Sequence, residues 1–368
     1  MSLLKKKVVI AGGSGLVGSA AVRHFAAQGG WQVVAVSRRP PLDVPAGIQH
    51  VAVDLSDAAA CASAFGAMPD VTHVIYAALS EKIEDIYGGW FDAAQIAKNA
   101  AMLRHLFEPL SAAARNLRHV ALVHGAKAYG AHLPQLAVPV PMRESLPRPP
   151  HPNFYFEQED YIRAKQQGQG WSWTVWRPVG IAGAAIGSPL NAFLMLALFA
   201  ALRREAGLDL PLPAGVCLAT EATDADLIAE ALAWGADAPA ARNEIFNISN
   251  GDVTSQREWF PVAADSFGMR LGEPSRFDVV QEVTQMSGLW RDLVRRHALH
   301  APEDVAALFG GSMAMSNVGV EAPGGNPLRW GLVSTIKLRH AGFHGCVDTL
   351  GMVRKYVRRY QALKILPP

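Results

Sequence analysis

Short, uniformly apolar runs alternate with amphipathic stretches through the first half of the chain. Lys7–Ala11, Trp31–Val36, His50–Leu55, His73–Ala77 and His119–His124 read as strands, with helices over Leu16–Ala27 and Phe91–Ala114 among them. Runs that are apolar at nearly every position belong to a parallel sheet buried on both faces. Strand and helix in repetition predict a doubly wound α/β domain. A proline-rich loop, Pro139–Pro152, leads into a helix that ends at Gly168-Gln169-Gly170, and Trp171–Trp176 is a sixth strand. Beyond it the alternation loosens. Leu190–Ala206, Thr223–Gly235, Ser255–Phe267, Val279–Arg296 and Leu350–Ala362 read as helices, with Glu244–Ile248 as another strand. The expected organisation is a Rossmann-type domain over residues 1–185 with sheet contributions from about 215–250, followed by a smaller, mostly helical substrate-capping region over 186–368.

Composition narrows the picture. The chain has 368 residues, 50% apolar and 18% charged, enough for an extensive core. A formal charge of +2 without a basic block argues against a nucleic-acid partner. Cys61, Cys217 and Cys346 lie far apart, form no Cys-x-x-Cys motif, and are expected as free thiols in a reducing compartment. Met1 to Lys7 lacks the order of a secretory signal. The longest apolar run, Ala192–Leu202, is well short of the roughly 20 residues that span a bilayer. It reads as a buried or dimer-facing helix, which leaves a homodimer open. A cytoplasmic protein without a membrane partner is expected. The histidines show no metal-ligand spacing, so no metal is expected.

The first strand runs into Gly12-Gly13-Ser14-Gly15-Leu16-Val17-Gly18, a Gly-x-x-Gly-x-x-Gly spacing at the strand–helix junction. Glycines there permit a tight turn and close approach of backbone to a pyrophosphate, and the helix N-terminus supplies amide donors. An NAD enzyme usually has a carboxylate at the end of the second strand to bond the ribose 2′-hydroxyl. This chain has Ser37-Arg38-Arg39 instead, a hydroxyl and guanidinium forks that suit a 2′-phosphate. NADPH is therefore the expected cofactor. Asp54 and Leu55, ending the third strand, suit the adenine, with Ser56 or Asp57 open as a helix cap. Ala77 and Ala78 after the fourth strand, and Pro178 and Val179 after the sixth, complete the expected cofactor edge.

Two tyrosines compete for the chemistry. Tyr161 and Lys165 have the Tyr-x-x-x-Lys spacing of short-chain alcohol dehydrogenases, whereas Tyr155 has no lysine four residues on. The helix must start at the cofactor edge, because it precedes and runs antiparallel to the sixth strand. At 1.5 Å per residue, Tyr161 lies roughly 9 Å further down than Tyr155. Geometry favours Tyr155. Lys127, in the loop after the fifth strand, is the only lysine between Lys98 and Lys165. Tyr161 and Lys165 also read as an ordinary i, i+4 pair.

These residues resemble the progesterone 5β-reductase and iridoid synthase-like enone reductases, an atypical branch of the extended short-chain dehydrogenases. The resemblance runs through nearly the whole chain. Its specific segments are Gly125-Ala126-Lys127-Ala128-Tyr129 and Asn153-Phe154-Tyr155 with Glu159-Asp160 following. The chain departs from the family where Phe156 replaces a frequent second tyrosine, and where Lys127-Ala128-Tyr129 replaces a frequent Lys-His-Tyr. The resemblance implies Tyr155 and Lys127 as the functional pair and an NADPH-dependent 1,4-reduction of a small-molecule enone. Tyr155 would also touch the cofactor, and the Lys127 charge is expected to lower its phenol pKa. Two alternatives stay open: a carbonyl reductase or sugar-nucleotide epimerase/dehydratase using Tyr161 and Lys165, and a non-catalytic NADP-sensing regulator.

Overall fold

The structure is a computed structural model that describes residues 6–43, 45–133, 136–215, 219–317 and 331–368. The described chain divides into two compact units: Met1–Pro178, Ala225–Ile248 and Val333–Gly345 make the first, and Val179–Asp224, Ser249–Leu332 and Cys346–Pro368 the second.

The first unit holds a seven-stranded sheet. Its strands are β1 (Lys6–Ala11), β2 (Trp31–Val36), β3 (Gln49–Val51), β4 (His73–Tyr76), β5 (His119–Val123), β6 (Ser172–Pro178) and β7 (Glu244–Ile248). The order is β7-β6-β5-β4-β1-β2-β3, with every pairing parallel. Chain progression reverses between β1 and β4, and ligands of such sheets bind in the crevice at that reversal, outside the carboxyl ends. The longer helices of this unit are α1 (Leu16–Ala27), α2 (Ala58–Phe65), α3 (Ala93–Ala113), α4 (Phe154–Gln166) and α5 (Ala225–Asp237). Strand interiors such as Val8, Val9, Ile10 and Val34 are fully buried, as a sheet covered on both faces requires.

Some elements differ from the sequence pattern. The third strand stops at Val51, and Asp54 instead forms a turn with Ser56. Of the two residues open as a helix cap, Asp57 takes the role: its carboxylate starts α2 by accepting from Ala60 N at 3.0 Å, although the Ala-rich segment itself shows no periodic apolar stripe. Helix α3 begins two residues later than the apolar pattern, where Asp92 caps the amides of Ala94 and Gln95. Phe91 is thereby left outside the helix.

The second unit is mostly helical, built around the helix Ala192–Glu205. Ala192–Leu202, the longest apolar run, is buried within this unit's own core with Trp259, Phe260, Trp290 and Tyr360. The stretch expected as one helix over Val279–Arg296 is two, Val279–Gln285 and Ser287–Arg296, broken at Met286. The buried Asp224 carboxylate accepts from Tyr356 Oη at 2.8 Å and pairs with Lys355. Cys61 is buried and Cys346 exposed, both as free thiols, and Cys217 lies outside the described residues. No described helix is long and apolar enough to cross a membrane.

Candidate active site

The loops at the carboxyl ends of β1, β2 and β4 build one edge. Gly12 has φ of +80°, and a β-carbon on it would stand 2.6 Å from the Ala77 carbonyl oxygen. Only glycine lets this turn press against the end of β4. A β-carbon on Gly18 would meet the Gly12 oxygen at 2.0 Å, so glycine there seats α1 on the turn. The amides of Gly12 and Gly13 both donate to the Val36 carbonyl, at 2.9 and 3.0 Å. Helix α1 starts from Gly15 with no side-chain cap and no acidic residue in its first turn. The amides of Leu16 and Val17, beside the half-buried Ser14, thus form an uncapped helix N-terminus that fits a pyrophosphate.

At the end of β2, the Ser37 hydroxyl donates to the Arg39 carbonyl at 2.6 Å and lies 3.3 Å from His50 Nε2. Arg38 and Arg39 are exposed. Asp54 accepts from Ser56 N at 2.9 Å and Ser56 Oγ at 2.7 Å; these bonds, with the Arg38 charge, hold its carboxyl below the usual range. Leu55 is buried, and its carbonyl lies 2.9 Å from His105 Nδ1. Ala77 continues from β4 through its amide, which donates to the Ala11 carbonyl at 3.0 Å, and Ala78 follows half-buried. Pro178 is the buried last residue of β6, and Val179, the first of the second unit, donates its amide to Thr223 Oγ1 at 3.2 Å.

One side chain joins the two candidate catalytic residues. Asn153 caps α4, its Oδ1 accepting from Tyr155 N at 3.0 Å, while its Nδ2 donates to the Lys127 carbonyl at 3.0 Å. The asparagine of Asn-Phe-Tyr therefore ties the helix start to the 3₁₀ turn Ala126–Tyr129. Tyr155 stacks on His124 with ring centres 4.3 Å apart and meets the edge of Trp90 at 5.3 Å. Its hydroxyl faces Gly125, 3.7 Å from where a β-carbon would stand. Lys127 Nζ sits 3.6 Å above the centre of the Trp90 ring, buried and without a hydrogen-bond partner among the described residues. Burial pushes its amine down to about 8, against the opposing charge of Glu81.

Burial, reinforced by the Glu81 charge, pushes the Tyr155 phenol well above its ordinary value. This corrects the expectation that Lys127 would lower it. A phenol held that high keeps its proton at neutral pH and is available as a hydrogen-bond donor.

Tyr161 and Lys165 lie elsewhere on α4. Tyr161 packs edge-on against Phe107 of α3 at 6.1 Å, and Lys165 Nζ reaches Glu108 at 3.6 Å. The rest of the specific segment is scaffolding. Glu159 is buried and pairs with the buried Arg177 of β6 at 3.3 Å, with Arg148 at 3.2 Å and with Arg163 at 2.7 Å. Arg148 also bonds Asp160, and it lies 4.7 Å from the ring of Phe156. Arg177 in turn lies 4.8 Å from the ring of Tyr129, whose hydroxyl donates to Asn247 at 2.5 Å. The Ser334-Thr335-Ile336-Lys337 run, which has the spacing of an acyl-enzyme nucleophile, is likewise structural. Its Ser334 hydroxyl accepts from Arg143, its Lys337 bonds Glu244, and Thr335 begins a short helix without a side-chain cap bond.

Glu81 and Trp90 were not signalled by sequence. Both fall in the segment between β4 and α3, where no motif marks them. Asn99 of α3 fixes the Glu81 neighbourhood by bonding both backbone groups of Ser80, at 2.9 Å each. Burial raises the Glu81 carboxyl, opposed by Lys127 and by the Trp90 indole.

A family model described as a PRISE-like Rossmann-fold domain matches residues 39–311. An (S)-8-oxocitronellyl enol synthase from Camptotheca acuminata is 29% identical, over 92% of this chain and 86% of its own. A 3-oxo-Delta(4,5)-steroid 5-beta-reductase from Arabidopsis thaliana is also 29% identical, with the same coverage of both chains. Among solved structures, the UDP-glucose 4-epimerase of Thermotoga maritima superposes with a TM-score of 0.66 at 14% identity, covering 97% of this chain and 99% of its own. The Thermus thermophilus UDP-glucose 4-epimerase in complex with NAD gives 0.63 at 19% identity, covering 96% and 99%. These structures share the Rossmann-type fold.

Proposed function

The chain belongs to the PRISE-like Rossmann-fold family, and from that premise we propose that it is an NADPH-dependent oxidoreductase that reduces the carbon–carbon double bond of an α,β-unsaturated carbonyl compound. The observation that carries this reading is the Asn153 bridge, which holds Tyr155 and Lys127 together at the start of α4. Tyr161 and Lys165 pack toward α3 instead. The relatives support it: one is named for reducing a 3-oxo-Δ4,5-steroid and the other for forming an enol.

Bound NADPH would supply the hydride that adds to the β-carbon. Its pyrophosphate would rest on Gly12, Ser14, Gly15, Leu16, Val17 and Gly18, its 2′-phosphate on Ser37, Arg38 and Arg39, and its adenosine near Asp54, Leu55, Ala77 and Ala78. Pro178 and Val179 would border the nicotinamide end together with Tyr155. The Tyr155 hydroxyl donates a hydrogen bond to the substrate carbonyl oxygen, and that bond strengthens as negative charge collects there in the enolate. A high phenol pKa keeps the proton on Tyr155, so the proton that the enolate takes at its α-carbon to give the saturated carbonyl comes from water. Lys127 places positive charge against the same Trp90 ring, and Glu81 holds the amine in its charged form. The second unit is read as the substrate-capping part, and no membrane or nucleic-acid partner enters the proposal.

Product analysis tests the reading. Incubation of enones with NADPH and, in parallel, NADH should yield the saturated carbonyl compound, faster with NADPH. An allylic alcohol as the main product would instead indicate carbonyl reduction. NADPH bound without turnover of any enone would indicate a sensor.

A further inference from the structure

Beside the catalytic cluster stands a second group of side chains that the proposed reaction does not use. Phe91, half-exposed outside α3, stacks on His151 with ring centres 5.0 Å apart. His132 lies 5.1 Å from His151, 5.7 Å from Phe91 and 5.5 Å from Trp90. The four imidazole nitrogens of His132 and His151 are buried and have no hydrogen-bond partner among the described residues. Buried polar atoms are nearly always paired, so such a cluster points to a ligand that completes it.

The chemistry of that ligand follows from what surrounds the rings. Each imidazole carries an N–H with no acceptor. Burial keeps His132 neutral, down to about 3, and the Lys127 charge pushes it the same way. An anion here would lie near the Lys127 charge, which Glu81 offsets only in part. A metal ion would need a third ligand, and no group of three His, Cys, Asp or Glu placed for one exists among the described residues. An anionic oxygen ligand meets both requirements, because it accepts from the N–H groups and is favoured by the Lys127 charge. The site is close to the reacting end: Tyr155 and His132 each lie within 5.5 Å of Trp90, so their ring centres are less than about 11 Å apart.

We propose that His132 and His151 bind a carboxylate carried at the end of the substrate remote from the enone, so that the preferred substrates are enone acids. This inference rests on the reductase reading above and deepens it.

The test uses alkyl vinyl ketones of increasing chain length ending in a carboxylate, with the methyl ester and the methyl-ended ketone of each length as references. At the best length, kcat/KM for the acid should exceed that for the ester by about tenfold or more. In the His132→Phe/His151→Phe variant that acid-to-ester ratio should fall toward one. His132→Asn, which restores an N–H at similar reach, should recover part of it. Calorimetric titration of the NADP-loaded protein with a saturated ω-keto carboxylate supplies a readout independent of turnover, with binding weakened by the same factor in the double variant. Equal rates for acid and ester in the wild type, or an unchanged ratio in the double variant, would overturn the carboxylate site while leaving the reductase reading intact. Absence of turnover across all three series would overturn the reductase reading, and the titration would then decide the carboxylate site alone.

Discussion

Lys127 carries its amine over the face of Trp90, where an ordinary surface lysine would extend into water. The burial that holds its pKa near 8 turns a structural detail into a measurable pH dependence. If the charged amine assists the reaction, kcat/KM falls as pH rises through about 8, because the proton is lost there. Lys127→Arg, which stays charged at all accessible pH, should remove that alkaline limb. Glu81→Gln deletes the negative charge that raises the Lys127 pKa, so the limb should move to lower pH; a steady-state pH profile reads both effects. Lys127 was legible from the sequence because it stands alone in the loop after β5. Its partners Glu81 and Trp90 were not, since proximity between two separate connections leaves no spacing to read.

On the scale of elements, α4 joins the sheet through interactions that its motif spells out. Asn153 serves both as helix cap and as anchor of the Lys127 loop, and these roles separate chemically. Asn153→Asp keeps the acceptor that caps the Tyr155 amide but loses the donor to the Lys127 carbonyl. Its stability in urea should stay near wild type while enone turnover drops. Asn153→Ala loses both, with about 1 kcal/mol of additional destabilisation from the missing cap. Glu159→Ala removes the buried partner of Arg177, and stranding a buried charge costs about 3–5 kcal/mol, visible as a lowered urea midpoint. The depth of Tyr155 could be read from sequence because rise per residue in helix and strand is fixed by geometry. The start of α3 and the break at Met286 could not, since a capping aspartate and a local dihedral change override an apolar pattern that runs past them.

The whole molecule should be acid-labile. His73 and His119, the first residues of β4 and β5, are buried, and burial holds them down to about 4 and about 3. His124, behind Tyr155, is shifted the same way, well below its usual value. All three are neutral in the folded state, whereas in the unfolded chain they take up protons below about 6.5. The unfolded state then binds more protons, so stability is complete above that pH and declines as pH falls toward 4 and below. Urea midpoints should decrease steadily from neutral to mildly acidic pH, and His119→Gln should flatten the slope. The sheet order was legible in outline, because β1 to β6 follow from apolar runs and short connections. The composition of the first unit was legible only in part: α5 and β7 fall in the stretch around 215–250 expected to join the sheet, whereas Val333–Gly345 joins it from the region read as cap, through contacts no local pattern reveals.

The central claim is that Tyr155, and not Tyr161, polarises the substrate oxygen. NADPH-dependent reduction of one simple enone by Tyr155→Phe and Tyr161→Phe, with NADPH affinity measured for both, tests it most directly. Tyr155→Phe should lose about a hundred- to a thousandfold in kcat/KM with cofactor affinity unchanged, and Tyr161→Phe should stay within about threefold of wild type. Near wild-type turnover by Tyr155→Phe, or the larger loss in Tyr161→Phe, would contradict the account.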